Sequence, residues 1–532
     1  MSHAPGGPAK NQEPTLLETN VPLSQSVIWR LQRDFYDQRG LKAWNEDLVP
    51  SYITNNPFIA EIYAGIVAAF LQDCMSHPQR DSSPLSREFP LRILELGAGT
   101  GKFSYLFLRN LTALLQNNNL PLHLVRYCMT DTAESLVTEW RENVFLQEFV
   151  SSGILEFEVF QAGQKYRQEA RGPLVVIANY VFDSLPQDAF AIENGEIHEI
   201  LVTTSAAANV ETSHLKDLRF SYQNSAIAPQ RYADDLWKGI LEQYRTRLST
   251  ATVLFPASAL QTLQQLSDSS DGRMLVLAAD KGIAHEEDLA LSPRVPSLEF
   301  HAGGRCFSQQ VNFDAIGKYF LGKGGEALLP SKHFTNLNIC AFIQRDPGND
   351  FPATRKAYEQ AISAFGPDDL FAVMSWLNAY LEEISLPQAL ALLRLTRWDT
   401  VALTRLFPVI ARQVRNAHAE RIDLRDAVLN TWGNHFPLTK DENILAFYCG
   451  VVLLELRFFE EAYSMFRKSQ QLFSPSANTS YNLGLCCLGL GRSREALELM
   501  REACELDPSF EPAKQSRWKL EDQIRTGELE LS

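Results

Sequence analysis

The chain is most informative at first in what it lacks. Its eight cysteines (Cys74, Cys128, Cys306, Cys340, Cys449, Cys486, Cys487 and Cys504) form no C-x-x-C pair and no Cys/His spacing suited to zinc. Several sit within apolar runs, where a reduced thiol behaves as a small hydrophobe, so a reducing compartment and a cytoplasmic location are expected. No apolar run approaches the roughly 18 residues a membrane helix needs, and none is expected to cross a membrane. Positive charge is in deficit: 49 Lys and Arg stand against 64 Asp and Glu, a net −15, which argues against a phosphate-backbone partner such as a nucleic acid and for basic peptides or basic protein surfaces. The run His285, Glu286, Glu287, Asp288 has no second histidine at a ligand-like spacing, so no metal is expected.

What is present fills more than one core. A chain of 532 residues calls for two or three domains, and 45% hydrophobic against 21% charged residues describes a folded protein. Residues 1–15, rich in Gly, Pro, Asn and Gln, read as a disordered tail. Residues 16–87 read as two helices and a linker: Val27, Leu31 and Phe35 with Tyr36 make one stripe, and Phe58, Ile62, Ile66 and Phe70 another. The polar link between them, with Tyr52, Thr54, Asn55 and Asn56, suits either a lid over a ligand or a plain packing element.

The most telling stretch is Leu94 to Ser104, LELGAGTGKFS: an apolar strand, glycines at 97, 99 and 101, then a helical pattern. Without Cβ atoms, backbone can approach a ligand closely while the first amides of the helix point at it. A dinucleotide turn would need glycine at Lys102, and a P-loop would need glycine at Leu96 and Ser or Thr at Phe103. Glu95 ahead of the three alternate glycines instead resembles motif I of class I S-adenosylmethionine (SAM) methyltransferases. Asp131 ends the next strand in the window where a carboxylate holds ribose hydroxyls, or else caps the following helix. Leu174 to Ala178 reads as a strand buried on both faces, delivering Asn179, Tyr180 and Asp183 beyond its carboxyl end, where open parallel sheets bind ligands.

The run ANYVFDSLPQDAF, Ala178 to Phe190, resembles the signature of the MidA-like methyltransferase family, whose mitochondrial members methylate protein arginine. More distant likenesses lie in Gly272 to Gly282, His301 to Phe320 and Ile53 to Ile62, so that the resemblance spans about Leu23 to Gln344. It implies a Rossmann-like α/β sheet over 88–345 with SAM as cofactor. Gly97, Gly99 and Gly101 would receive the methionine part, Glu95 would support that loop or the amino group, Asp131 would hold the ribose, Gln161 and Ala162 would lie beside the adenine, and Ala98, Thr132 and Asn179 would complete the cofactor site. Asp183 would orient or deprotonate the acceptor, with Asn179 and Tyr180 positioning it. The family's glutamate after the asparagine is Tyr180 here, which weakens the case for arginine, a group that needs carboxylates to become nucleophilic.

Asn194-Gly195 predicts a hairpin turn, and Arg219 to Leu266 reads as mainly helical, with Trp237, Tyr244 and Phe255 in its core. Residues 346–532 read as all helix. Gly450 matches Gly484, Ala462 matches Ala496 and Phe466 matches Met500 at a separation that resembles the tetratricopeptide repeat, clearest over 443–511. Such repeats imply a protein or peptide partner. The expectation is a SAM-dependent methyltransferase with a recruiting repeat domain; the alternatives are a non-catalytic adaptor on the same fold and a small-molecule methyltransferase.

Overall fold

The strand that enters the glycine turn, Leu91–Leu96 (β1), is buried along almost its whole length. In this computed structural model, which describes residues 15–39, 52–76, 85–164, 166, 172–206, 214–228, 230–333, 337–345, 350–363, 365–438, 440–473 and 475–526, it is a central strand of a seven-stranded sheet. The others are Val125–Asp131 (β2), Leu155–Val159 (β3), Leu174–Asn179 (β4), Met274–Asp280 (β5), Glu326–Leu328 (β6) and Asn338–Gln344 (β7), in the spatial order β6-β7-β5-β4-β1-β2-β3. The pairs from β5 to β3 are parallel, and β7 runs antiparallel to both neighbours. The expected class I methyltransferase sheet is therefore present. The chain winds outward from β1 to β3, then restarts at β4 on the other side, so a crevice opens at the carboxyl ends of β1 and β4.

Among the described residues, two α-helices precede the sheet, Val27–Arg39 (α1) and Pro57–Ser76 (α2). Contrary to the expectation from apolar runs, α2 is long and apolar enough to cross a membrane by length and composition. It serves as a core helix: Tyr63, Ala64, Val67 and Phe70 are fully buried. Phe70 stacks on Phe351 at 5.2 Å, and the Asp73 carboxylate accepts from the Thr354 amide at 2.8 Å. These bonds extend the sheet-bearing unit past residue 345, to Asp368, so the helix Pro352–Tyr358 packs with the sheet instead of opening the helical region.

The N-terminal segment is not all helical. Thr15–Pro22 is a strand paired with Glu196–Ala206 in a second, antiparallel sheet that also holds Asp188–Glu193, Leu218–Ala226 and Thr250–Phe255. The expected tail, apart from Thr15, lies outside the described residues. The Asn194-Gly195 turn forms as expected, both residues taking positive φ (51° and 83°). Arg219 to Leu266 departs from the helical expectation: it holds most of Leu218–Ala226 and all of Thr250–Phe255 as strands, because the alternating LRFSYQNSA lays Leu218, Phe220 and Tyr222 on the core while its edge pairs with Glu196–Ala206. Trp237, Tyr244 and Phe255 do pack in the core.

The second unit, Asn56–Glu61 with Asp369–Ser532, is helical. Its last pairs are Ile444–Glu455 with Phe459–Leu472 and Ala477–Gly489 with Ser493–Leu506. A Cβ on Gly450 would stand 2.7 Å from the Phe466 ring, and one on Gly484 would stand 2.8 Å from Met500 Cε. Equivalent glycines thus meet equivalent residues, which is the close helix contact the repeat needs.

Candidate functional site

At the end of β1, Gly97, Gly99 and Gly101 all take positive φ (64°, 53° and 78°), a conformation other residues adopt at a cost. The turn is pinned from below. Ala98 N–H donates to Thr130 O at 2.9 Å, Thr130 Oγ1 to Glu95 O at 2.7 Å, and Trp140 Nε1 to Gly99 O at 2.9 Å. Asp131 completes the clamp by accepting the Gly99 amide at 3.1 Å on Oδ2 and the Thr132 amide at 2.8 Å on Oδ1. It does not cap the next helix, Glu134–Glu142, whose N-cap is Ala133. Burial nonetheless pushes its carboxyl above the usual carboxylate range, against the lowering effect of these amides.

A cavity of about 490 Å³ sits over this turn. Glu95, Gly97, Ala98, Gly99, Asp131, Thr132, Gln161, Ala162, Asn179 and Tyr180, all singled out in the sequence, line it. Gly101 does not: it caps the helix Lys102–Asn117 from behind the turn, where a Cβ would meet Met129 Cε at 3.0 Å. Asp183 does not line it either. Its carboxyl turns into the protein and bonds the Asp280 carboxyl, while Ser184 Oγ donates to it at 3.0 Å and Asp280 accepts the Phe182 amide at 3.1 Å. Burial raises both carboxyls, and the charge of Asp183 raises Asp280 further. The expected acid–base role of Asp183 thus gives way to bracing the turn after β4, because its side chain points away from the cavity.

Glu95 is 3% exposed, and its Oε2 accepts from the Tyr127 hydroxyl at 2.7 Å and from Ser104. Burial pushes it up to about 7. Asn179 Oδ1 accepts from the Tyr63 hydroxyl at 2.9 Å, and its Nδ2 is buried with no hydrogen-bond partner. Tyr180 is held at φ 53°, an uncommon conformation for an aromatic residue, with its N–H on Ala279 O at 2.8 Å.

The opposite wall comes from α1: Trp29, Gln32, Arg33 and Tyr36 line the cavity together with Thr54 and Asn55 of the polar link. Gln32 is 2% exposed; its Oε1 accepts the Phe307 amide at 2.9 Å, which fixes the side chain and leaves Nε2 a buried donor without a partner. Only Tyr36 of this lining stripe belongs to the face expected from the apolar pattern; Trp29, Gln32 and Arg33 do not. The stripe's i, i+3, i+4, i+7 spacing, with two aromatic and two polar residues, was the available signal.

This lining fits SAM. Two buried carboxylates, Glu95 and Asp131, flank a space whose ligand would carry a sulfonium, an ammonium and ribose hydroxyls. Phe103 and Phe160 supply apolar wall.

Residues 69–290 match the model of a family described as "Putative S-adenosyl-L-methionine-dependent methyltransferase", and residues 477–510 match a tetratricopeptide repeat model. No curated protein matches. Among solved structures, the chain is similar to an uncharacterised protein from Burkholderia thailandensis at 17% identity and a TM-score of 0.42, covering 62% of this chain and 90% of that one. A superfamily member from the same organism, bound to S-adenosyl-homocysteine, gives 17% and 0.42 over 62% and 89%. An O-methyltransferase family protein from that organism gives 10% and 0.28 over 62% and 66%.

Proposed function

We propose that this chain, a SAM-dependent methyltransferase by its fold and family match, methylates a nitrogen on a protein acceptor. The reading rests on a cavity that joins a cofactor cradle at the β1 turn to a second, polar wall on α1, in a chain that also carries tetratricopeptide repeats. When bound, SAM supplies an electrophilic methyl group. The chain's own residues would position the reactants: Asp131 and Glu95 would hold the cofactor's polar groups, and Asn179 and Tyr180, which line the same cavity, would orient the acceptor. In-line displacement depends chiefly on alignment, so it proceeds without a strong base. That accords with a lining whose only carboxylates, among the described residues, are Glu95 and Asp131. It favours an acceptor that arrives uncharged over a protonated guanidinium.

The repeats would recruit the acceptor protein, since stacked helix pairs offer extended binding surfaces. The eight unpaired thiols favour a reducing, cytoplasmic setting.

Methyl-labelled SAM incubated with the full chain and a cell lysate tests the reading. Label in acid-precipitated protein that disappears with Asp131→Ala supports it. Label confined to small molecules would favour small-molecule methylation, and absence of SAM binding would favour the adaptor.

A further inference from the structure

Away from the cavity, the fold gathers two histidines that the sequence keeps far apart. His285 follows β5, and His333 lies between β6 and β7. Their rings stack with centroids 4.1 Å apart, and one ring nitrogen of each lies within 4.8 Å of the other and of a Glu287 carboxylate oxygen. None of the three lines the cofactor cavity. We propose that His285, His333 and Glu287 bind a divalent transition-metal ion, Zn²⁺ being the best fit, which ties the segment after β5 to the loop ahead of β7.

The second nitrogen of each ring carries the argument. His285 Nε2 is 2.8 Å from the Pro330 carbonyl oxygen, which can only accept, so Nε2 bears the proton and Nδ1 keeps its lone pair. His333 Nδ1 is 3.1 Å from Asp288 Oδ2, so it donates to a carboxylate and leaves Nε2 as the ligand atom, 3.9 Å from Glu287 Oε1. A carbonyl on one imidazole and a carboxylate on the other are the partners that orient metal-bound histidines and fix their tautomers. Two imidazoles and one carboxylate, with water in the fourth position, suit tetrahedral Zn²⁺. Glu286 is excluded from the set by its ion pairs with Lys318 at 2.8 Å and Arg247 at 3.3 Å. His333 and Glu287 are exposed, with side chains 49% and 70% accessible, so both can turn to bring the ligand atoms to bonding distance. A site so placed would be structural.

The test is calorimetric titration of the tag-free, chelator-treated full chain with ZnCl₂, paired with thermal melts. One ion per chain, micromolar affinity and a raised melting midpoint are expected. His333→Ala should abolish binding, Glu287→Gln should weaken it, and Asp288→Asn, which touches no metal, should weaken it about 10- to 100-fold through lost orientation. Repeating the titration with Co²⁺ separates these ligands from cysteine, since thiolate ligation would add an intense near-ultraviolet band. No saturable binding, a thiolate band, or binding undiminished in both His285→Ala and His333→Ala would overturn the proposal. Unchanged SAM affinity in the histidine variants would show that they remain folded and keep the two sites independent.

Discussion

The Asp131 carboxylate accepts the Gly99 amide at 3.1 Å, tying the end of β2 to the middle of the glycine turn that ends β1. One side chain therefore shapes the cradle and also lines the cavity above it. Asp131→Ala removes both roles and should weaken SAM binding about 10- to 100-fold, as expected for a lost hydrogen bond to a charged group of about 1.5–3 kcal/mol. Asp131→Asn keeps an acceptor for Gly99 and should fall between. Calorimetric titration with SAM ranks the three, and an alanine variant equal to wild type would refute the role.

Glu95 makes stability depend on pH. Burial raises its carboxyl from 4.5 to about 7, so between those values the folded chain binds more protons than the unfolded one. Its contribution is then fully present below 4.5 and is lost as pH rises through 7. The loss is about 3–4 kcal/mol, at about 1.4 kcal/mol per pKa unit. Glu95→Gln, which can still accept from Ser104 and Tyr127, should flatten that part of the slope in urea melts between pH 5 and 8. An identical slope in wild type and variant would count against the assignment.

Ionised Glu95 also suits a cationic cofactor, so SAM affinity should rise with pH across about 7 and protons should be released on binding. Titrations in buffers of different ionisation enthalpy measure that release. Glu95→Gln should abolish the pH dependence.

Asp183 lies beside Asp280 and does not line the cavity, so Asp183→Asn should leave SAM affinity and methyl transfer within about twofold of wild type. Asp280→Ala should instead destabilise the fold by about 1–3 kcal/mol through the orphaned Phe182 amide. A large loss of turnover in the asparagine variant, with SAM affinity intact, would return Asp183 to a chemical role.

In the repeats, Gly450→Ala should destabilise more than Gly484→Ala. The new methyl meets the rigid Phe466 ring at 2.7 Å in the first case, but in the second the mobile Met500 Cε at 2.8 Å, which can swing aside. Overpacking of this kind costs about 1–3 kcal/mol, and denaturant melts of the two variants decide the order.

Local chemistry made much of this protein readable in advance. Three alternate glycines, the carboxylate ending the next strand, the doubly buried run before Asn179 and the repeat of small residues each act over a few neighbours. Those signals fixed the sheet, the cofactor and the repeat helices. The rest depended on distant segments meeting. Leu218–Ala226 is a strand because Glu196–Ala206 offers it an edge, and Asp183 is buried beside Asp280, which stands at the end of β5, distant along the chain. Gln32 is fixed in the cavity wall because the Phe307 amide, far along the chain, holds its Oε1. His333 reaches His285 only when the strands between them are laid in place. Spacing along the chain carries torsional and helical preference, whereas a side chain's direction and partner are set by packing across the fold.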